Sequence, residues 1–165
     1  MGTIQLDFQL PLNFDLKYVA ADGTFHRPVM VHRAIFGSFE RFIGILIENF
    51  KGSFPFWLSP VQVGIVPIRT EHNESAKEVA ALRRKNGIRF EADYTDSNMK
   101  EKIKAFKNYK DPYIIVLGGQ EAENRTVSIN IRGNKQLKNV PLDTFIAMCR
   151  RMNEEHMLEI IDTAE

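Results

Sequence analysis

The chain has 165 residues, of which 44% are hydrophobic and 26% are charged, and its formal net charge is +1. This composition is typical of a folded globular protein, and the near-zero net charge excludes polyanion binding driven by bulk charge, so any nucleic-acid contact has to be local. The single cysteine excludes an internal disulfide and favours a reducing compartment, and no apolar run reaches the roughly 18 residues of a membrane-spanning helix.

The first fifty residues predict strands followed by one apolar helix. Residues 3–8 alternate apolar with polar side chains, and the polar face offers a hydroxyl, an amide and a carboxylate. A second strand is predicted over residues 27–35, and Gly37 breaks it. Ser38 is a candidate N-cap for a helix that runs to Phe50 with apolar residues at three- and four-residue spacings.

Residues 51–60 are rich in glycine, proline and aromatic residues and contain the only tryptophan. We interpret this segment as a linker that packs on neighbouring structure, because a fully solvated linker would not carry Phe54, Phe56 and Trp57. The chain also begins directly in a strand pattern. This start is a hint of truncation, although a short native N-terminus would look the same.

Beyond residue 60 the pattern alternates strands with helices, at residues 61–68, 71–85, 88–92, 97–109 and 112–117. The last of these strands is apolar throughout, which predicts a central position in a sheet. Gly118-Gly119 is predicted to turn the chain into a hairpin-like pair, residues 125–132 and 136–140, and Pro141 opens a final helix. This order predicts a mostly parallel sheet with helices on its faces.

Four polar residues of the first segment are candidates for one site. Thr3 and Gln5 lie on a polar strand face, His32 on another strand, and Arg41 at a helix start, where an arginine beside free N–H groups suits phosphate. Taken singly, a strand histidine is more often a structural residue, and an arginine near a helix start more often forms a salt bridge. Composition and spacing alone do not name a reaction.

Residues 32–48, His-Arg-Ala-Ile-Phe-Gly-Ser-Phe-Glu-Arg-Phe-Ile-Gly-Ile-Leu-Ile-Glu, closely resemble motif 3 of threonyl-tRNA synthetases, which are class II aminoacyl-tRNA synthetases. Residues 2–8 and 54–63 match the same family, and Gly118-Gly119-Gln120-Glu121 stands where the family has a Gly-x-x-Glu turn. The resemblance implies an enzyme that activates threonine with ATP and transfers it to tRNA(Thr) in the cytoplasm.

The resemblance also implies an α/β architecture in two parts. Residues 1–59 would be the C-terminal remnant of the class II catalytic domain, a partial antiparallel sheet with the motif 3 helix. Residues 60–165 would be the anticodon-binding domain, with a mixed, mostly parallel sheet flanked by helices.

Each polar residue of the first part receives a role from the resemblance. His32 stands where the family places one of three protein ligands of a catalytic zinc ion, which binds the amino and hydroxyl groups of threonine. Arg41 matches the motif 3 arginine that lies against ATP, and Arg41 and Gln5 are the predicted catalytic residues. The residues predicted to line the threonine, adenylate or ATP site are Thr3, Gln5, Gly37, Ser38 and Arg41.

Much of the family's active site belongs to sequence upstream of Gly2, including the other two zinc ligands and motifs 1 and 2. We therefore expect the chain alone neither to activate threonine nor to retain zinc or ATP with Mg²⁺. Residues 1–50 are expected to self-associate or to be disordered, because they are shaped to pack on a larger sheet. The intact family is homodimeric, but an association of this chain need not be that dimer.

The resemblance implies that the second part binds tRNA. Glu121 is predicted to accept hydrogen bonds from the middle guanine of the anticodon; the alternative is a glutamate that only caps a turn. The lysines predicted to contact phosphates are Lys100, Lys104, Lys107 and Lys110, although a lysine stripe is usually just a solvated face.

Other positions of the second part leave the detailed readout of the anticodon open. Tyr94 or Tyr109 could stack on bases, but the sequence does not place them. Asp96 and Asn130 stand where many family members read the anticodon with asparagine and arginine.

Two other readings stay open at this point. One is a stand-alone RNA-binding or regulatory module of the anticodon-binding type. The other is a structural or assembly fragment that acts through its exposed core. A stand-alone module would be expected to lose the active-site residues, whereas the polar residues of motif 3 are intact.

Overall fold

The computed structural model describes residues 2–163, apart from the side chains at positions 83 and 84. The chain divides into two compact units between Asn49 and Phe50. No helix among the described residues is long and apolar enough to cross a membrane.

The first unit is built on two antiparallel strand pairs. β1 (Thr3–Asp7) pairs with β4 (Met30–Ala34), and β2 (Tyr18–Val19) pairs with β3 (Phe25–His26). Two helices complete it, α1 (Gln9–Asn13) and α2 (Phe39–Phe50). The sequence did not predict α1, which begins where Asp7 Oδ1 accepts hydrogen bonds from the main-chain N–H groups of Gln9 and Leu10.

The strand pair β1–β4 has one polar and one apolar face. Thr3, Gln5 and Asp7 alternate with Ile4 and Leu6, so the two sets point to opposite sides. The apolar side is open: Ile4 is 70% exposed, Leu6 59% and Val31 58%. Helix α2, whose apolar residues recur at three- and four-residue spacings, has no buried residue. The expected exposure of apolar surface in this unit is therefore observed.

The second unit contains a five-stranded sheet in the order β6-β5-β7-β8-β9. Its strands are β5 (Val63–Pro67), β6 (Phe90–Ala92), β7 (Tyr113–Leu117), β8 (Thr126–Ile131) and β9 (Lys135–Pro141). The pairings of β5 with β6 and β7 are parallel, and those of β8 with β7 and β9 are antiparallel. The predicted mixed sheet with a central β7 is confirmed. Two pairings are parallel and two are antiparallel, and only β8 runs against the other four strands, so most strands share one direction as predicted.

Helices cover both faces of this sheet, and they are α3 (Asn73–Ala81), α4 (Arg83–Asn86), α5 (Met99–Asn108), α6 (Gly119–Asn124) and α7 (Leu142–Glu154). The main core gathers side chains of α3 and α7 against one face, with Tyr113 and Phe145 in edge-to-face contact at 5.6 Å. Cys149 of α7 is completely buried there. On the other face, Phe106 of α5 packs so closely that a Cβ on Gly64 would lie 2.7 Å from its ring.

Residues 51–59 are attached to the second unit through their main chain. Phe56 is fully buried, and its ring lies 5.6 Å from that of Tyr113. Arg89 Nη2 donates to the carbonyl oxygens of Trp57 and Ser59, each at 2.7 Å. Lys110 Nζ donates to the carbonyl oxygen of Lys51. The predicted packing of this segment is thus observed at Phe56, and cationic side chains also bind its carbonyl groups.

Helix α6 was missed by the sequence reasoning, which took Gly118-Gly119 as a turn. Gly119 instead begins the helix, and Glu121 Oε2 accepts the N–H of Gly118 at 3.1 Å. A Cβ on Gly118 would lie 2.8 Å from Ile68 Cδ1 and 3.0 Å from Glu121 Oε2, so a larger residue here would have to displace the ends of these two side chains.

Candidate functional site

The polar face of β1 and β4 brings two of the predicted site residues directly together. Gln5 is the register partner of His32 across the antiparallel pair, so their side chains project on the same side. Thr3 lies two residues earlier on that face, opposite Ala34. Thr3, Gln5 and His32 are all exposed. The strands therefore present an amide, an imidazole and a hydroxyl to one side.

Asp7 joins this group, although the sequence reasoning gave it no role. Its Oδ2 lies 2.9 Å from His32 Nε2, and its Oδ1 accepts from the N–H groups of Gln9 and Leu10 at 2.8 and 2.9 Å. Two contacts hold the pKa of the Asp7 carboxyl below its usual value. The larger effect comes from the hydrogen bond donated by the Leu10 N–H, and the next from the hydrogen bond with His32. The signal was present in the sequence, since Asp7 shares the alternation that puts Thr3 and Gln5 on the polar face.

The second predicted cluster forms at the start of α2. Ser38 Oγ accepts the N–H of Arg41 at 3.3 Å, which is the predicted N-cap contact. Gly37 has a φ of +75°, and a Cβ there would lie 3.5 Å from Arg41 Cδ. Arg41 forms no ion pair with any other residue described, and it is exposed. Gly37, Ser38 and Arg41 thus form one compact group with a free cation.

The donor set of the first unit suits a metal ion only in part. His32 uses Nε2 on Asp7, and its other ring nitrogen makes no hydrogen bond within the described residues. An imidazole held by a carboxylate at one nitrogen and open at the other is a common arrangement of metal-binding histidines. Residues 2–163 nevertheless contain no group of three or more His, Cys, Asp or Glu that could hold a metal ion. His32 fits as one zinc ligand, and the described residues do not complete the site.

In the second unit, Glu121 lies at the end of the sheet with both carboxylate oxygens engaged. Oε2 accepts the Gly118 N–H at 3.1 Å, and Oε1 accepts the hydroxyl of Ser128 at 2.8 Å. Glu121 also lines a cleft of about 450 Å³ together with Arg125 and Glu78. A carboxylate has about four acceptor sites. The two internal bonds therefore fix the orientation of Glu121 and leave acceptor capacity facing the cleft.

The four predicted phosphate-contacting lysines are all exposed, but they differ in their contacts. Lys107 Nζ donates to Asn134 Oδ1 at 3.2 Å, and Lys110 Nζ is bonded to the carbonyl oxygen of Lys51. Lys100 and Lys104 have no side-chain partner among the residues described. Lys107 and Lys110 therefore have structural contacts, whereas Lys100 and Lys104 are the two whose ammonium groups are unengaged within the described part of the chain.

Tyr94 and Tyr109, which the sequence could not place, line one open cleft of about 540 Å³. Tyr94 is 39% exposed and Tyr109 80%. The cleft also includes Glu91 and Asp93, so its rim is acidic. The two rings are brought to the same surface of the unit, beside edge strand β6.

The two positions that depart from the family pattern lie in different surroundings. Asn130 is nearly buried, and its Oδ1 accepts from Gln136 Nε2 of the paired strand at 2.6 Å. Asp96 is exposed in an opening that it shares with Arg69, directly after β5. Arg69 Nη1 lies 3.6 Å from Glu71 Oε1, so its charge is partly matched within the unit.

Comparison with known proteins covers both units. Residues 1–50 match the model of the tRNA synthetase class II core domain (G, H, P, S and T), and residues 62–152 match the model of the anticodon binding domain. The chain is 47% identical over 149 residues to the threonine–tRNA ligase of Symbiobacterium thermophilum and 48% identical over 154 residues to that of Clostridium novyi. These matches cover 90% and 93% of the chain, but only 23% and 24% of the relatives.

Two solved structures resemble the chain. The RNA binding domain of threonyl-tRNA synthetase from Cryptosporidium parvum Iowa II superposes with a TM-score of 0.73 at 32% identity, covering 99% of this chain and 40% of that one. Prolyl-tRNA synthetase from Cryptosporidium parvum, complexed with halofuginone and AMPPNP, gives a TM-score of 0.65 at 20% identity over 93% of this chain and 33% of that one. The second likeness concerns the fold alone.

Proposed function

The chain belongs to the threonyl-tRNA synthetase family, and from this premise we propose that it supplies part of the threonine-activating site and the tRNA-recognition domain of a threonine–tRNA ligase. One observation carries the proposal. A class II core match over residues 1–50 and an anticodon-binding match over residues 62–152 stand in the same chain. The chain spans about a quarter of the length of these relatives, so the complete reaction requires sequence beyond it.

The first part, proposed as residues 1–59, would contribute to binding of threonine and ATP. His32 would be one of three zinc ligands, and the zinc ion, when bound, would act as a Lewis acid that holds the amino and hydroxyl groups of threonine. Gln5, its register partner, would contact the amino acid from the same side, and Thr3 would border that pocket. The geometry in support is the shared polar face of β1 and β4.

Arg41 would bind ATP at the start of α2. Its guanidinium is exposed and has no carboxylate partner among the described residues, so it is available to stack on adenine and to attract phosphate. Gly37 leaves space for the nucleotide next to Arg41, and Ser38 fixes the first turn of the helix. With one zinc ligand and one arginine, the chain alone is proposed to be inactive in threonine activation.

The second part, proposed as residues 60–165, would bind the anticodon loop of tRNA(Thr). Glu121 would accept hydrogen bonds from the Watson–Crick edge of the middle guanine, which offers two donors side by side. The exposed lysines of α5 would contact phosphates, and Tyr94 and Tyr109 would offer stacking surfaces. The partners of the complete protein would be tRNA(Thr), threonine, ATP and a second copy, and its location the cytoplasm.

The test is binding of the purified chain to two labelled RNA stem-loops. The first has the threonine anticodon with its middle guanine, and in the second that guanine is replaced by adenine. We expect preference for guanine by roughly 10–100-fold, which corresponds to about 1–3 kcal/mol for one base contact. Fluorescence anisotropy at fixed salt gives both dissociation constants. Equal affinity for the two RNAs would contradict anticodon recognition. The inactivity proposed for the chain alone has a separate test, the threonine-dependent exchange of pyrophosphate into ATP. A measurable exchange would contradict that inactivity.

A further inference from the structure

Asp7 occupies a bridging position between the polar strand face and helix α1. One carboxylate oxygen accepts the two N–H groups that open α1, and the other faces His32 Nε2 at 2.9 Å. The Asp7 side chain is 15% exposed, whereas that of His32 is 44% exposed. The carboxylate is therefore the inner member of the pair and the imidazole the outer one.

The chemistry of the two groups decides which ring nitrogen of His32 carries the proton. An ionised carboxylate only accepts hydrogen bonds, and three of them converge on Asp7, which favours its charged form. His32 must therefore donate from Nε2. A neutral imidazole has one protonated and one unprotonated nitrogen, so the lone pair remains on Nδ1. No described residue accepts from or donates to that nitrogen.

We propose that Asp7 is a positioning residue that holds His32 in the Nε2–H tautomer and thereby makes Nδ1 the nitrogen offered to zinc. The zinc part of this inference rests on the proposed function, whereas the tautomer rests on the contacts of Asp7 alone. A carboxylate behind a metal-binding imidazole fixes the ring and raises its basicity, and loss of such a partner typically weakens metal binding by roughly 10–100-fold. The rival explanation is that Asp7 serves only as the cap of α1.

Replacement of Asp7 by asparagine separates the two explanations. The asparagine Oδ1 can still accept the N–H groups of Gln9 and Leu10, so the cap of α1 is retained. Its Nδ2, however, donates where the carboxylate accepted. An NH₂ group facing Nε2 requires that nitrogen to accept, and the imidazole proton moves to Nδ1. Asp7→Asn is therefore expected to exchange the tautomer of His32 while preserving the helix start.

The measurement is a long-range proton–nitrogen correlation spectrum of the imidazole rings in the nitrogen-15 labelled full chain. It is recorded at pH about 8, above the usual histidine pKa of about 6.5. The His32 signals are assigned by their loss in His32→Gln. The chain offers a matched control, because Asp22 Oδ2 contacts His26 Nε2 at 3.0 Å in the exposed hairpin. Asp22→Asn should change the signals of His26 and leave those of His32 unchanged.

The inference predicts the Nε2–H form in the wild-type chain and the Nδ1–H form in Asp7→Asn. A wild-type Nδ1–H form, an equal mixture, or an unchanged tautomer in Asp7→Asn would overturn it. If Asp7→Asn does not fold, Asp7→Ser keeps an acceptor for the cap and removes Oδ2, and it should give a mixture of both tautomers. These spectra are independent of RNA binding, so failure of the stem-loop test with the expected tautomers would remove the proposed function and leave the role of Asp7 intact.

Discussion

Arg132 donates from Nη2 to the main-chain carbonyl oxygen of Phe54 at 2.8 Å. Its Nη1 donates to the carbonyl oxygen of Lys110 at 2.9 Å, so one guanidinium joins β8, the turn before β7 and the aromatic segment 51–59. Together with Arg89 and Lys110, it satisfies carbonyl groups of a segment that forms no sheet or long helix. Three cations that flank the strands and helices of the second unit therefore supply hydrogen-bond donors to carbonyl groups of this segment.

Removal of Arg132 should therefore destabilise the second unit. Arg132→Ala leaves two carbonyl groups without their partner, and we expect a loss of roughly 2–3 kcal/mol in the free energy of unfolding. Denaturant unfolding followed by the fluorescence of Trp57 measures it. Arg150→Ala is the control, because Arg150 is exposed and its ion pair within residues 2–163 is with Glu154, likewise exposed, at 3.5 Å. This variant should cost less than about 0.5 kcal/mol. Equal losses in the two variants would contradict this account.

Asp111 should give the second unit a distinctive pH dependence. Burial first, and then the charge of Glu91, raise its pKa from 3.8 to about 6, against the opposing attraction of Arg132. The folded chain thus binds this proton more tightly than the unfolded chain does. The stabilisation is complete below pH 3.8 and is lost as the pH rises towards about 6.

Asp111→Asn should remove that dependence. In the wild-type chain the raised pKa lowers the free energy of unfolding by on the order of 2–3 kcal/mol as the pH rises through this range. In the variant the free energy of unfolding should depend less on pH and should be higher at neutral pH. Urea unfolding at several pH values measures it. Asp96→Asn, at an exposed carboxylate, serves as the control. If the free energy of unfolding of Asp111→Asn falls with pH as steeply as that of the wild-type chain, Asp111 is not the source of the pH dependence.

Glu121 allows a test of base reading against helix capping. Glu121→Ala should reduce the affinity for the stem-loop with the middle guanine by about 1–3 kcal/mol and have a smaller effect on the adenine variant. Ser128→Ala removes one hydrogen bond to Glu121 but keeps the carboxylate, so the preference for guanine should remain. If Glu121→Ala lowers stability yet retains the preference, Glu121 acts as the cap of α6 alone.

The open apolar face of β1 and β4 should cause self-association of the chain. A leucine-sized side chain buried between two copies contributes roughly 1.5–3 kcal/mol, so Leu6→Lys should weaken association by at least about tenfold. Sedimentation velocity over a range of concentrations measures it. Gln5→Lys places the same charge on the opposite face and should have little effect. A wild-type chain that remains monomeric at every concentration would refute the prediction.

Local sequence patterns were sufficient for most elements of the second unit. The uninterrupted apolar run of β7 placed it correctly at the centre of the sheet, where both faces are covered. Helix α6 was missed although Glu121 stands three residues after Gly118, the spacing at which a glutamate accepts the N–H of an N-cap residue; the two glycines were taken as a turn instead.

The candidate site was predictable in its residue types but not in its pairings. Alternation along β1 put a hydroxyl, an amide and a carboxylate on one face. Which of them meets His32 depends on the register of β4, which lies more than twenty residues further along the chain. Likewise, Tyr94 and Tyr109 line one cleft because residues that follow β6 and the end of α5 meet at the same surface. Such tertiary relationships have no counterpart in the spacing of residues.

The complete burial of Cys149 has a practical consequence. Burial raises the pKa of this thiol, and thiol reagents react with the thiolate. Cys149 is the only cysteine of the chain, so alkylation of the native protein has a single target, which is reached when α7 separates from the sheet. The rate of alkylation therefore reports how often the second unit opens. An RNA that binds only the closed unit will slow the alkylation in proportion to the fraction of the chain that has RNA bound.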